Sequence, residues 1–249
     1  MRKQKVYPVI SPATGQLKPM KGFTMEMSRR RFMILGASAA TLAAIPLAGA
    51  TAAGAAERVS PAEALKRLKL GNTRSANGNL VAKNYSPLGS TPAKGQRPFA
   101  AILSCGDSRV NPDNIFDTAP GNLFVVRNAG NVCEDVGLGS LEFAAAALGV
   151  SLILVLGHTH CGAVVASENS IKTGELPPTH LDAFVERIIP GIEGLPPGHT
   201  TNDSIATNAT YQARKVESRS SIISGITSTG KLEIVSGIYG LASGRVTWL

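Results

Sequence analysis

Three continuous apolar runs lie between residues 99 and 156, and each has the length of a β-strand. They cover Phe99 to Ser104, Leu123 to Val126 and Ser151 to Leu156. Runs without polar alternation are typical of strands that are buried on both faces, as in parallel sheets. Two later runs, Leu232 to Tyr239 and Arg245 to Leu249, are joined by a glycine-containing turn. They predict a hairpin at one edge of the sheet.

Helical patterns alternate with these strands. Ser60 to Glu63 forms a capping box with proline at the first helical position, and it predicts a helix that runs to about Leu70 and ends at Gly71 and Asn72. Residues 73–97 are rich in Gly, Pro and Ser and predict a long surface connection. The other predicted helices are Ser140 to Leu148, Gly162 to Lys172, His180 to Ile189 and Ile205 to Ile223. This alternation predicts an α/β fold with a mostly parallel central sheet flanked by helices and an antiparallel edge strand.

The first 56 residues have a different character. The run Ser28-Arg29-Arg30-Arg31-Phe32-Met33 is a twin-arginine pattern, and a weakly apolar stretch from Ile34 to Ala50 follows it. We expect residues 1–56 to be a twin-arginine (Tat) export signal that engages the Tat machinery and is cleaved from a domain of residues 57–249. The mature protein would then be periplasmic or otherwise extracytoplasmic. A single membrane anchor is the alternative, although this run is short and alanine-rich beside the roughly 20 strongly apolar residues of a spanning helix.

The leader accounts for most of the positive charge. The whole chain has a formal net charge of +8, but residues 1–56 hold eight Lys or Arg and one acid, so they carry +7 of it. The remaining domain has a net charge of about +1 and shows no basic patch or stripe of the kind that nucleic acid requires. Nucleic acid is therefore excluded as an expected partner.

Three residues offer soft and borderline ligands close to strand ends. Cys105 follows the first apolar run, and His158 and Cys161 follow the third in the spacing His-x-x-Cys. Two thiols and an imidazole suit zinc, and three protein ligands leave the fourth tetrahedral position open, as in catalytic sites. Loops that follow parallel strands meet at the carboxyl edge of the sheet, so these side chains are expected to converge. The alternative is a non-catalytic zinc or redox protein in which Cys105 and Cys161 form a disulfide.

Asp107 and Arg109 lie on the turn that follows Cys105. They can form a carboxylate–guanidinium pair that orients Asp107 towards the metal, and Asp107 is also close enough in sequence to be a fourth ligand. Cys161 is predicted near a helix N-terminus, where the dipole favours a thiolate. The remaining candidates are expected to be structural or solvent-facing side chains: Cys133, His160, His180 and His199.

With these residues in place, the chain resembles the β-class carbonic anhydrases over residues 60–249. Three specific segments carry the resemblance, and a fourth, Gly237 to Leu241 with Gly244 to Val246, is weaker. The specific segments are Ala101 to Val110 (containing Cys-Gly-Asp-Ser-Arg), Phe124 to Asn131 (ending in Arg-Asn-Ala-Gly-Asn) and Gly157 to Ala163 (containing His-Thr-His-Cys).

The resemblance implies one Zn²⁺ per subunit, held by Cys105, His158 and Cys161, with Asp107 and Arg109 as a catalytic dyad. In a closed form that some members adopt, Asp107 also ligates the metal. The implied reaction is the reversible hydration of carbon dioxide to bicarbonate and a proton, by a lyase of the carbonate dehydratase type. Asp107, held by Arg109, would accept a hydrogen bond from the attacking oxygen. A homodimer or tetramer is implied as well, and hydrolysis of carbon disulfide or carbonyl sulfide at the same site is an alternative.

Overall fold

Five strands form one mixed sheet in the part of the chain that the structure describes. The computed structural model describes residues 58–81, 83 and 95–249, so the predicted leader and part of the predicted connection lie outside it. The strands are β1 (Ala100–Cys105), β2 (Leu123–Asn128), β3 (Leu152–His158), β4 (Glu233–Tyr239) and β5 (Val246–Trp248). Their order is β2-β1-β3-β4-β5, and only β5 is antiparallel to its neighbour. The predicted α/β fold with an antiparallel edge strand is confirmed.

Helices cover both faces of the sheet. Among the described residues they are α1 (Pro61–Ala76), α2 (Pro112–Ile115), α3 (Asp135–Phe143), α4 (Gly162–Thr173), α5 (Asp182–Ile192), α6 (Thr201–Ser218) and α7 (Ser221–Thr227). Along β1, Ala101 and Leu103 pack in a cluster with residues of α3, α6 and α7, whereas Ala100 and Ile102 pack with residues of α1 and α2. Both faces are buried, which explains the absence of polar alternation. No helix among the described residues is long and apolar enough to cross a membrane.

The predicted end of the first helix is wrong. Instead of stopping at Gly71 and Asn72, α1 continues to Ala76. A Cβ atom at Gly71 would lie 1.9 Å from the carbonyl oxygen of Phe116, so this glycine permits close packing and does not end the helix. Asn72 donates to the carbonyls of Ile115 (3.2 Å) and Gly244 (2.9 Å) instead of capping its own helix. Both residues have long-range roles that local sequence rules cannot show.

Two further helix predictions needed correction, and capping side chains explain both. α3 begins at Asp135, five residues before the predicted Ser140, because the Glu134 carboxylate accepts from the backbone N–H groups of Val136 and Gly137. It continues into a π-helical turn, Ala144–Leu148. The single helix predicted over residues 205–223 is in fact α6 and α7. They divide at Ser220, whose hydroxyl accepts from the N–H of Ile223 and caps α7.

Candidate metal centre and active site

The three predicted ligands converge at the carboxyl edge of the sheet. Cys105 is the last residue of β1 and His158 the last of β3, and these strands are parallel neighbours with Ser104 opposite Leu156. Cys161 is the N-cap residue of α4, as its predicted place near a helix start required. The ligand atoms of the three side chains all lie within 4.8 Å of one another, and all three residues are buried. The geometry therefore brings together residues that are up to 56 positions apart in the sequence.

The ring of His158 is oriented as a metal ligand would be. Its Nδ1 lies 2.9 Å from the carbonyl oxygen of Thr159, so Nδ1 carries the proton and donates. Its Nε2 is buried and has no hydrogen-bond partner among the described residues. A buried acceptor without a partner costs free energy, and a cation beside the two sulfurs would satisfy it. The two sulfurs and the free imidazole nitrogen fit a zinc ion.

The two sulfurs interact strongly with each other. A hydrogen bond from Cys161 lowers the pKa of Cys105 to about 4, and the same contact raises the pKa of Cys161. The pair therefore holds one proton between two sulfurs, which a divalent cation would displace because metal ligation requires thiolates. Burial by itself would lower the pKa of His158, but the Cys105 thiolate outweighs it and raises that pKa. Both effects indicate a site prepared for positive charge.

Asp107 and Arg109 form a bidentate pair beside this cluster. Asp107 Oδ1 accepts from the backbone N–H and the Nε of Arg109 (both 2.9 Å), and Oδ2 accepts from Nη2 (2.7 Å). The Arg109 guanidinium holds the pKa of Asp107 well below its ordinary value. Asp107 Oδ2 also lies 4.0 Å from His158 Nε2, at the mouth of the cluster. In this structure Asp107 is thus engaged by Arg109, and the closed arrangement in which it ligates a metal stays a prediction.

Arg127, near the end of β2, and Gly130, in the turn that follows it, also take part in the site. The Arg127 guanidinium donates from Nε to the carbonyl of Cys105 (3.1 Å) and from Nη2 to the carbonyl of Asp107 (2.7 Å). The backbone N–H of Gly130 points at Cys105 Sγ, 3.5 Å away. From the sequence, both residues belonged only to a segment of resemblance and had no predicted role. Their position at the end of an apolar run was the available signal.

The remaining candidates are not members of the cluster. Cys133 is buried, and burial raises its pKa, as expected for an unreactive thiol. His160, His180 and His199 are exposed. All three cysteines of the chain are described, and each is an unpaired thiol.

Comparison with known proteins identifies the family. A family model described as carbonic anhydrase matches residues 100–246. The carbonic anhydrase of Mycolicibacterium smegmatis is 37% identical over 190 residues, 75% of this chain and 92% of the relative. Carbonic anhydrase 2 of Mycobacterium tuberculosis is 39% identical over 189 residues, 75% of this chain and 91% of the relative.

A solved structure agrees with these sequence relatives. The β-carbonic anhydrase of Coccomyxa, in complex with acetazolamide, superposes with a TM-score of 0.57 at 27% identity. The match covers 63% of this chain and 74% of the Coccomyxa chain. The predicted enzyme class, carbonate dehydratase, is confirmed by these relatives, and the chain belongs to the carbonic anhydrase family, with the fold of its β class.

Proposed function

We propose that the protein catalyses the zinc-dependent, reversible hydration of carbon dioxide to bicarbonate and a proton. The observation that carries this proposal is the convergence of Cys105, His158 and Cys161, with His158 Nε2 free, beside a carboxylate fixed by arginine. Family membership supports the reaction. The donor chemistry supports the metal.

Cys105, His158 and Cys161 would hold the zinc ion, one per subunit. When bound, zinc supplies Lewis acidity that makes water a better nucleophile near neutral pH. The Thr159 carbonyl fixes the imidazole tautomer through Nδ1, so that Nε2 is the nitrogen offered to the metal. Arg127 holds the Cys105 and Asp107 carbonyls together and thereby fixes the distance between a ligand and the dyad.

Asp107 would accept a hydrogen bond from the attacking oxygen and keep that oxygen oriented towards the carbon of the substrate. Arg109 supports this role in two ways. It keeps the carboxylate ionised, as the lowered pKa of Asp107 indicates, and it restrains the rotation of the carboxylate through two side-chain hydrogen bonds. Asp107 is thus available as an acceptor and is not available as a proton donor.

Replacing Asp107 with alanine tests the dyad. The Asp107→Ala variant should keep its zinc, because the ligands and the carbonyl contacts of Arg127 do not depend on the Asp107 side chain. Its hydration rate should fall by about a hundredfold, the scale of lost orientation at a reacting atom. Stopped-flow hydration of carbon dioxide and metal analysis on the same sample measure both quantities.

The matched control for this experiment is Asp135→Ala. Asp135 also pairs with an arginine, Arg219, but its side chain is 85% exposed and lies outside the site. This variant should hydrate carbon dioxide at the parent rate. Parent-like hydration by Asp107→Ala would refute the dyad, and a parent protein that hydrolyses carbon disulfide or carbonyl sulfide but does not hydrate carbon dioxide would refute the proposed reaction.

We also propose that the chain is exported in folded form by the Tat machinery and that it works as a homodimer or tetramer. The twin-arginine pattern at Arg29 and Arg30 supports export. Exposed apolar side chains beside the edge strand β2 support assembly, since Val136 is 79% exposed and Phe143 40%. Analytical ultracentrifugation of the mature chain measures the assembly, and a monomer at micromolar concentration would contradict it.

A further inference from the structure

Two amide side chains are buried in α6 on the side that faces the site. Asn208 and Gln212 are each 1% exposed and lie four residues apart, so they share one face of the helix. Gln212 Nε2 donates to Asn208 Oδ1 (3.0 Å) and to the Arg187 carbonyl (2.9 Å), while its Oε1 accepts from the N–H of Cys133 (2.9 Å). Burying an amide without hydrogen-bond partners costs free energy, and the three contacts of Gln212 satisfy both its Nε2 donors and its Oε1 acceptor.

Asn208 connects this pair to the metal centre. Its Nδ2 donates to the Gly130 carbonyl at 3.0 Å, across 78 positions of sequence. The N–H of the same glycine donates to Cys105 Sγ at 3.5 Å. Hydrogen bonds therefore link Gln212 to Asn208, Asn208 to the Gly130 carbonyl, and the N–H of the same glycine to a ligand sulfur. We call this series of contacts the relay.

The turn that contains Gly130 needs this support. Gly130 has φ +73°, and its close packing against Ile188 and Ala163 leaves no room for a side chain. This residue therefore cannot anchor the turn with a side chain of its own. The Asn128 side chain closes the turn locally, through Val132. Among the described contacts, Asn208 is the one that fixes the Gly130 carbonyl from another element. The Asn208 hydrogen bond holds the peptide group of the Gly130 carbonyl, which is joined through the Gly130 Cα to the peptide group whose N–H faces Cys105.

We propose that Asn208 and Gln212 are positioning residues for the Cys105 ligand, acting through the Gly130 N–H. The proposal rests on the proposed zinc site. An N–H donor to a thiolate withdraws electron density from the sulfur and fixes its direction, which tunes the bond between sulfur and metal. The chemistry of the site is then set partly by residues that touch neither metal nor substrate.

The experiment compares Asn208→Ala with Val216→Ala. Val216 is fully buried on the same helix and belongs to a core cluster that does not contain the ligand cysteines, so its truncation destabilises the fold without removing a hydrogen bond of the relay. Zinc affinity is measured by competition with a chelator. Cobalt is then substituted for zinc, and the thiolate-to-cobalt charge-transfer absorption reports on the sulfur ligands without any assay of activity.

Asn208→Ala should bind zinc about tenfold more weakly, the scale of a lost partner behind a metal ligand. Its charge-transfer band should move to longer wavelength, because a thiolate without its N–H donor holds its electrons less tightly. Val216→Ala should have a lower free energy of unfolding, but its zinc affinity and its charge-transfer band should match those of the parent protein. Gln212→Met leaves Asn208 in place but removes its support, together with the contacts to the Arg187 carbonyl and the Cys133 N–H. It should give a smaller shift in the same direction, and it decides the question if Asn208→Ala does not fold.

The relay is refuted if Asn208→Ala and Gln212→Met keep the parent's affinity and band, or if Val216→Ala shifts them equally. A parent protein that binds neither zinc nor cobalt would overturn the proposed function itself, and the relay with it. Metal binding by the parent protein therefore distinguishes a failure of the proposed zinc site from a failure of the relay alone.

Discussion

Gly130 combines a backbone requirement with a packing requirement in one residue. Its φ of +73° lies in the left-handed region, which L-residues other than glycine enter at a cost. A Cβ atom here would also lie 2.6 Å from Ile188 Cδ1 and 3.1 Å from Ala163 Cβ. Since its N–H faces Cys105 Sγ, a movement of the Gly130 backbone that relieves the overlap would change the contact with a ligand.

Gly130→Ala and Gly174→Ala separate these two requirements. Gly174 has nearly the same backbone angle, φ +76°, but a Cβ atom there would meet nothing within 4 Å. Gly174→Ala should lower the unfolding free energy by about 1 kcal/mol through backbone strain alone. Gly130→Ala should lose a further 1–3 kcal/mol or so through overpacking. Urea unfolding measures both values, and equal losses would show that packing at Gly130 does not contribute to the free energy of unfolding.

The sequence was sufficient to predict the three metal ligands and the Asp–Arg dyad, but it was not sufficient to predict the buried side chains that support them. Cys105, His158 and Cys161 could be grouped because each follows an apolar strand, and parallel strands end at one edge. Asp107 and Arg109 could be paired because they are two residues apart. Asn208 and Gln212 gave no such signal, since polar residues in a helix usually face solvent and their partners lie 78 and 79 positions away. Contacts of that range become visible only once the helix is placed on the sheet.

At the scale of elements, Asp117 fixes the end of α1 to the rest of the domain. Its side chain is 1% exposed and pairs with Arg74, in the last turn of α1, and with Lys83. The N–H of Val81 also donates to it. Burial opposes ionisation, but the hydrogen bonds from Lys83 and Arg74 outweigh it and hold the pKa of Asp117 below its ordinary value. The ionised form is therefore the one that stabilises the fold.

Asp117→Asn should lower the unfolding free energy at neutral pH by about 1 kcal/mol, a modest value because Arg74 is itself 40% exposed. A carboxyl whose pKa is lowered by folding stabilises the fold above its unfolded pKa, about 3.9, and loses that contribution as the pH falls through the folded value. The difference between parent and variant should thus be largest at neutral pH and shrink below about pH 4. Urea unfolding from pH 7 to 3 measures it, and a difference that grows towards low pH would contradict the assignment.

Strands were predicted more accurately than helix ends, and the reason is physical. Burial on both faces leaves a continuous apolar run with clear limits, so β1 and β3 were placed to within two residues. Helix ends depend on which side chain supplies the cap, and Glu134 and Ser220 are caps that fall inside otherwise plausible patterns. Gly71 and Asn72 were misleading for the opposite reason. Their capping tendency is overridden by tertiary contacts with Phe116 and Gly244.

At the scale of the whole molecule, the two predicted ligand cysteines set a condition on the proposed export. Cys105 and Cys161 are buried unpaired thiols whose sulfurs lie within 4.8 Å of each other in the folded chain. In an oxidising compartment an unfolded chain could join them in a disulfide, and a zinc site cannot form from oxidised sulfur. Folding and metal loading in the reducing cytoplasm before transport would protect both. The proposed export of the folded chain by the Tat machinery fits that order of events.

Exchanging the leader tests this order. With residues 1–56 replaced by a leader for unfolded export, we expect periplasmic protein with less zinc and lower hydration activity than protein carrying its own leader. After denaturation and chelation, protein exported by its own leader should show three titratable thiols and the rerouted protein a fraction with one. Cys133→Ala is the control that locates the disulfide, since the oxidised fraction of that variant should show none. Equal zinc content and activity by both routes would remove the link between the leader and the metal, and would leave the zinc site able to form after export.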